Sequence, residues 1–453
     1  MITPQIFKAN DIRGVAEGPE PEWDTAGAFA IGAALVDTLD LVSAEGSLVC
    51  GHDMRLTSPA FSAAFAQGVL SRGADVVDIG LASTDELWFA SGRLGLPGAM
   101  FTASHNPGHY NGVKLCLSEA RPVSPAILRE VADRAMGSQP PPASAPGGMS
   151  SMDLLPAYAD HLHSLVDISG IRRLTVVADA GNGMAGLTLP AVLGAANMDL
   201  IGLYTDPDGS FPNHPPNPLE PENLVDAQAA VREHGADLAL VFDGDADRCF
   251  IIDERGEVVS PSAITAMIAV QELQREPGAT IVCNTITSRS VSEIVTELGG
   301  KIVLTKVGHT YVKAAMARSH AIFGGEHSGH YYFREFWGAD TGMLAALHVL
   351  SLVGSSSSTM SELAARSARY TESGEINSTV ADTERVIELL EMKFANRTTF
   401  DRTDGLTAAA PDWWFNVRPS NTEPLLRLNV EARDPEQMVA VRDDVLALIR
   451  TPL

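Results

Sequence analysis

Cysteine is scarce in this chain: Cys50, Cys116, Cys249 and Cys283 are the only four in 453 residues. None stands in a C-x-x-C pair, which argues against a structural zinc site or a disulfide framework and fits a reducing compartment. Positive charge is also short, with 32 Lys and Arg against 57 Asp and Glu and a formal net charge of −25. That balance disfavours nucleic acid or an anionic membrane as partner. Long apolar runs are missing too. The longest candidate, Ala26 to Val36, is too short to span a bilayer. The first residues, Met1 to Gly14, carry Lys8, Asp11 and Arg13 where a signal peptide needs an unbroken apolar core. The expected location is the cytoplasm. An anionic substrate would require the few cations to be gathered locally against the overall field.

The remainder is ordinary for a globular protein, with 45% hydrophobic and 20% charged residues. Its length exceeds what one hydrophobic core usually organises, so several domains are expected. Short apolar runs alternate with helical stretches from the start. Leu48 to Cys50 reads as a strand ending in Gly51-His52-Asp53-Met54-Arg55. A helix starts at Ser58-Pro59, and Asp75 to Ile79 and Ala99 to Phe101 are further strands. Such alternation means βαβ units and a largely parallel sheet. Gly137 to Ser150, with three successive prolines, has a linker's composition. The expected domains are 1–150, 151–256, 257–370 and 371–453. The first three read as mixed α/β and the last as a smaller α+β domain, with an alternating strand Leu425 to Glu431 and a terminal helix Glu436 to Ile449.

Four stretches carry chemistry. Thr102-Ala103-Ser104-His105-Asn106-Pro107 follows the buried strand and presents Ser104 on a loop at its carboxyl end, the usual place for chemistry in open α/β sheets. Asp243-Gly244-Asp245-Ala246-Asp247-Arg248 follows the strand ending at Phe242. If that segment is extended, residues two apart face one way and three carboxylates converge. Their repulsion calls for a cation, and an all-oxygen set suits Mg2+. A dehalogenase-type phosphatase also uses an Asp-x-Asp after a strand and stays open as a rival. In Glu326-His327-Ser328-Gly329-His330, Glu326 and Ser328 can bond vicinal hydroxyls and His330 can move a proton near neutral pH. Arg418-Pro419-Ser420-Asn421-Thr422-Glu423-Pro424 offers a guanidinium and neutral donors, a phosphate cradle.

A fifth stretch, Gly181 to Gly186, formally satisfies G-x-G-x-x-G after the strand Leu174 to Ala178, with Asp199 or Asp206 as the ribose acid. Against a nicotinamide site, Asp179 puts a carboxylate where pyrophosphate would sit, and Thr188-Leu189-Pro190 is expected to interrupt the helix. A tight strand-to-helix turn is the simpler use of these glycines.

Together the four chemical stretches resemble the α-D-phosphohexomutases, in that family's order and across essentially the whole chain. The resemblance implies four domains around a central cleft. It also implies phospho-Ser104 as donor, with Ser104, Asp243, Asp245 and Asp247 around Mg2+. Arg13 and Arg248 match the partners of the reacting phosphate, Lys114 and His330 the general acid and base, and His309 another active-site histidine. Glu326 and Ser328 match sugar contacts, and Arg418, Ser420, Asn421 and Thr422 the distal phosphate site. A lysine found in some members is absent near Asn284, where Arg289 is the candidate replacement. His327 points to the phosphomannomutase branch. The implied reaction interconverts mannose 1-phosphate and mannose 6-phosphate through a hexose 1,6-bisphosphate. Glucose phosphates are the alternative or second substrate, because a site that does not bond the one differing hydroxyl discriminates poorly. The implied partners are hexose phosphates, with no nucleic acid and no membrane, and the implied assembly is a monomer or homodimer.

Overall fold

The computed structural model describes residues 1–8, 11–44, 46–138, 140–380, 382–419 and 425–450. They form two compact units, Met1–Val259 with Ser328–Ser361 and Ser260–His327 with Glu362–Leu453.

The first unit opens on a mixed sheet with the strand order Ile12–Val15, Tyr110–Leu117, Gly98–Phe101, Ser47–His52, Asp75–Leu81, Met149–Ser151. The last four of these run parallel, joined by crossover helices Ser58–Ser71 and Thr84–Leu94. Gly98–Phe101 is buried at every position, as a strand covered by helices on both faces must be. Helices Thr25–Leu39, Ser58–Ser71 and Pro125–Met136 cover one face, where Trp23, Phe61, Phe65 and Phe101 pack edge to face. The stretch 137–150 is more than a linker, because Met149–Ser151 adds a parallel strand beside Asp75–Leu81. Gly147 permits this, since a Cβ there would lie 1.9 Å from the carbonyl of Ala74.

A second mixed sheet follows, in the order Val258–Val259, Cys249–Asp253, Leu238–Phe242, Leu174–Asp179, Met198–Leu203. The helix Ala185–Leu193 runs through Pro190 rather than stopping before it. One missing hydrogen bond in nine residues is offset by the face it buries, Ala185, Thr188, Leu189, Val192 and Leu193. The same unit contains the antiparallel pair Tyr331–Phe333 with Ala339–Asp340 and the buried helix Gly342–Gly354.

In the second unit, Lys301–Thr305, Thr280–Asn284 and Phe323–Gly325 are parallel strands, connected through helices Arg289–Glu297 and His309–Ser319. His309 opens its helix, and Gly308 at φ 132° supplies the turn before it. The C-terminal part is a five-stranded antiparallel sheet, Thr371–Thr379, Leu425–Ala432, Trp413–Pro419, Leu406–Ala409, Thr399–Asp401. Helices Thr383–Phe394 and Pro435–Ile449 bury one face of it around Phe394, Trp413 and Phe415. The fold class is thus three mixed α/β domains plus a C-terminal α+β domain. No helix among the described residues is long and apolar enough to cross a membrane.

Candidate active site

Ser104 sits where the parallel strand Gly98–Phe101 runs out, fully buried, with φ at +50°. A left-handed serine is strained and persists only where its surroundings hold it. Thr102 Oγ1 accepts from its main-chain N–H at 2.9 Å. Arg55, itself fully buried, donates from Nη2 to the carbonyls of Ser104 and Asn106 and from Nη1 to those of Pro107 and Tyr110. Asp53 orients that guanidinium by accepting from Nε at 3.1 Å. Arg13 grips the same loop from the neighbouring strand, donating from Nη1 to Asn106 Oδ1 at 2.7 Å.

The acidic stretch is a turn, not an extended strand. Ala246 N–H closes on Asp243 O at 3.1 Å and Ala246 takes φ +63°, so convergence comes from backbone reversal rather than alternation. Asp243, Asp245 and Asp247 are buried, with one carboxylate oxygen from each lying within 4.8 Å of the others. Ser104 Oγ donates to Asp243 Oδ2 at 2.8 Å and faces His105 Nδ1 at 3.1 Å. Lys114 comes from the antiparallel strand Tyr110–Leu117 and donates from Nζ to Asp245 Oδ2 at 2.7 Å and Asp247 Oδ2 at 2.5 Å. Gly112 lets that strand approach, because a Cβ there would lie 2.4 Å from the carbonyl of Ile12.

Burial and the repulsion of Asp245 and Asp247 push the Asp243 carboxyl well above the usual range. Burial works against the Lys114 ammonium as well, yet Asp245, Asp247 and Asp243 outweigh it and hold its proton above the ordinary lysine range. Burial, then the positive charges of Arg248, Arg13 and Lys114, keep His105 neutral. Even with Lys114 Nζ bonded to two of them and Arg248 Nε 3.5 Å from Asp243, three crowded carboxylates repel one another, which a divalent cation would relieve. Asp245 Oδ1 supports the same reading, since it is buried and accepts no hydrogen bond. The donor set is all oxygen, which fits a hard cation such as Mg2+.

Arg248 and His330 face one another across a β-bridge. Arg248 Nε lies 3.2 Å from His330 Nε2, and Ser328 Oγ lies 2.9 Å from His330 Nδ1. Asp247 Oδ1 and Asp340 Oδ2 lie 3.5 and 3.8 Å from His330 Nε2. Six of the residues singled out from sequence (Ser104, Lys114, Asp243, Asp245, Asp247, Arg248) thus form one cluster, joined by His330 and Ser328 through Arg248 and by Arg13 through the serine loop.

The others lie in the second unit. Glu326 is buried, and its Oε2 accepts from Asn284 Nδ2 at 3.2 Å and from Gly308 N–H at 3.4 Å. His309 is the first residue of its helix. Arg418 donates to Glu375 Oε2 at 2.6 Å, and its cross-strand neighbour Arg427 to Glu375 Oε1 at 2.8 Å. Ser420, Asn421 and Thr422 lie outside the described residues. Arg289, the proposed stand-in for the missing lysine, donates from Nη1 to the carbonyls of Ala410 and Pro411.

The Gly181 to Gly186 turn holds no open phosphate cradle. A Cβ on Gly183 would meet Gly244 O at 2.6 Å, one on Gly186 would meet Thr205 O at 1.9 Å, and Asp179 pairs with His214 at 3.1 Å. Sequence reasoning missed Arg55 and Asp53, although their alternation at the end of Ser47–His52 was visible. It also missed His105, which stands inside a motif already singled out.

A serine hydroxyl and three acids beyond the carboxyl ends of strands, with a lysine buried against them, form the candidate phosphoryl-transfer centre. All four consecutive domain models of the phosphoglucomutase/phosphomannomutase family match, three α/β/α domains at residues 4–139, 156–256 and 260–370 and the C-terminal domain at 375–448. A phosphomannomutase of Salmonella montevideo is 41% identical over 98% of this chain and 99% of its own. Phosphohexose mutases of Xanthomonas campestris pv. campestris are 40% identical over 97% and 98%. A solved phosphoglucomutase/phosphomannomutase family protein of Burkholderia thailandensis superposes with a TM-score of 0.90 at 29% identity, covering 99% of this chain and 98% of that one. The chain belongs to the phosphoglucomutase/phosphomannomutase family, and it is an isomerase that interconverts phosphohexoses.

Proposed function

We propose that the chain interconverts mannose 1-phosphate and mannose 6-phosphate, with phospho-Ser104 as donor and a hexose 1,6-bisphosphate as intermediate. The observation that carries this reading is Ser104 Oγ held 2.8 Å from Asp243 in a cluster with Asp245, Asp247 and Lys114. The choice of mannose is supported by 41% identity to a phosphomannomutase along the full chain.

Transfer needs in-line positioning and charge neutralisation more than covalent help. The Ser104 O–P bond breaks as a bond forms from phosphorus to a hydroxyl oxygen of the monophosphate. The hydroxyl proton leaves to a base while the departing serine oxygen takes one from an acid, with the two roles exchanged in the reverse transfer. His330 and Lys114 are the candidates for the pair, and Lys114, held protonated by the three acids, suits the acid. Arg13 and Arg248 balance charge on the transferring group. The bisphosphate then turns around, and its other phosphate returns to Ser104. Asp243, Asp245 and Asp247, together with Ser104, would hold Mg2+, which would neutralise charge on the transferring group. Glu326 and Ser328 bond sugar hydroxyls, Arg418, Ser420, Asn421 and Thr422 hold the second phosphate, and His309 contributes a further imidazole. The domain division 1–150, 151–256, 257–370 and 371–453 assigns serine, metal acids, sugar contacts and phosphate turn to successive domains.

A reducing compartment, the cytoplasm, suits the cysteines. Burial pushes the Cys50 and Cys283 thiols up to about 12. Turnover of mannose, glucose and glucosamine 1-phosphates on one preparation, primed with glucose 1,6-bisphosphate, tests the assignment. A mannose kcat/KM below that for glucose 1-phosphate would move it to the phosphoglucomutase alternative. Stoichiometric release of inorganic phosphate would move it to a phosphatase.

A further inference from the structure

Thr84 opens the helix Thr84–Leu94 directly after the strand Asp75–Leu81, and it is fully buried. It makes two contacts with one residue of the acidic turn. Its Oγ1 donates to Asp245 Oδ2 at 2.6 Å, and its main-chain N–H donates to Asp245 O at 3.0 Å. From these contacts we infer that Thr84 is the positioning residue of the metal site, selecting which Asp245 oxygen faces the ion. This rests on the proposed reading of the three acids as Mg2+ ligands.

A carboxylate rotates freely about its last bond unless one oxygen is tied. Here Oδ2 is tied twice, by the Thr84 hydroxyl and by Lys114 Nζ at 2.7 Å. Oδ1 is left buried and without a hydrogen bond, so it is the oxygen available to a cation. The two donors are not equivalent. Lys114 also bonds Asp247 and is the candidate proton carrier, so its contact with Asp245 must loosen whenever its charge changes. The threonine hydroxyl has no competing charge and keeps Oδ2 in place through the cycle.

The surroundings of Thr84 make the clamp stiff. Ser83 caps the helix by accepting from Glu86 N–H at 3.2 Å, and the helix N-terminus favours the nearby carboxylate. The adjoining Asp85 accepts from Ser83 Oγ at 2.5 Å and from both Tyr158 and Thr341 at 2.7 Å, which pins the first turn from three sides. Groups that orient metal-binding carboxylates typically account for tenfold to hundredfold in metal affinity.

The test compares the native chain with Thr84→Val, which keeps shape but loses the hydroxyl, and Thr84→Ser, which restores it. Binding of Mn2+ is followed by electron paramagnetic resonance and of Mg2+ by calorimetry, without substrate. The expected result is a rise in Kd of about tenfold or more for Thr84→Val. Thr84→Ser should stay within about threefold of native, and the metal-free melting temperatures of the two variants should agree. Native affinity in Thr84→Val overturns the inference, as does equal loss in Thr84→Ser. If Thr84→Val does not fold, Thr84→Ser against Thr84→Ala decides by the same comparison. A native chain that binds neither ion overturns the metal reading itself, and the inference falls with it.

Discussion

Arg55 Nη2 donates to the main-chain oxygen of Ser104 at 2.7 Å, so a fully buried arginine holds the backbone of the reacting serine. All its side-chain hydrogen bonds but the one to Asp53 run to carbonyls between Ser104 and Tyr110. An ammonium has three donors on a single point and cannot span that set. Arg55→Lys is therefore expected to lower kcat by about tenfold to a hundredfold with a smaller change in KM, as a displaced reacting group does. Arg55→Met should destabilise the chain by about 3–5 kcal/mol because it strands Asp53 as an unpaired buried acid. Steady-state kinetics and urea unfolding check the two outcomes.

Ser104→Ala should abolish mutase turnover while leaving hexose-phosphate binding within a few-fold of native. Phosphorus NMR of the native chain incubated with glucose 1,6-bisphosphate should show a protein-bound phosphoserine that the variant lacks. Undiminished turnover in the variant would end the phosphoserine scheme.

Metal removal should act on stability as well as turnover. With chelator the three acids rely on the chain's own Lys114 and Arg248, whereas saturating Mg2+ stabilises the folded chain by mass action, about 2.7 kcal/mol at a hundredfold excess over Kd. A melting temperature that rises with Mg2+ in the native chain but not in Asp245→Asn is the expected pattern.

Glu86 predicts a pH effect away from the reacting groups. Burial first, then the charge of Asp85, push its carboxyl up from 4.5 to about 8. The folded chain therefore binds this proton more tightly than the unfolded one. Its stabilising contribution is complete below pH 4.5 and is lost as the pH rises through about 8, at no more than ~1.4 kcal/mol per pH unit. Glu86→Gln should match the native chain near pH 5 and exceed its stability at pH 8. Thermal melts across that range read the difference, and parallel curves would refute it.

Much of the chemistry was legible because it lies in contiguous stretches. Ser104 after a buried strand and three acids after Phe242 are local patterns, set by side-chain chemistry and the turn residues beside them. The acids nonetheless meet by a different route than alternation suggests. Ala246 in the left-handed region reverses the chain, and nothing in its side chain announces that conformation. Pro190 misled in the opposite sense, because the burial that carries the helix past it belongs to packing rather than to propensity.

The sequence by itself determined the domain classes, the four chemical stretches and the family they resemble, since each depends on residues close together in the chain. Only the tertiary structure decided that Arg55 holds the serine loop and that Thr84 ties Asp245, a residue 161 positions away. Such contacts depend on which strand ends lie side by side, and that is settled by sheet order and helix packing rather than by any local run of residues.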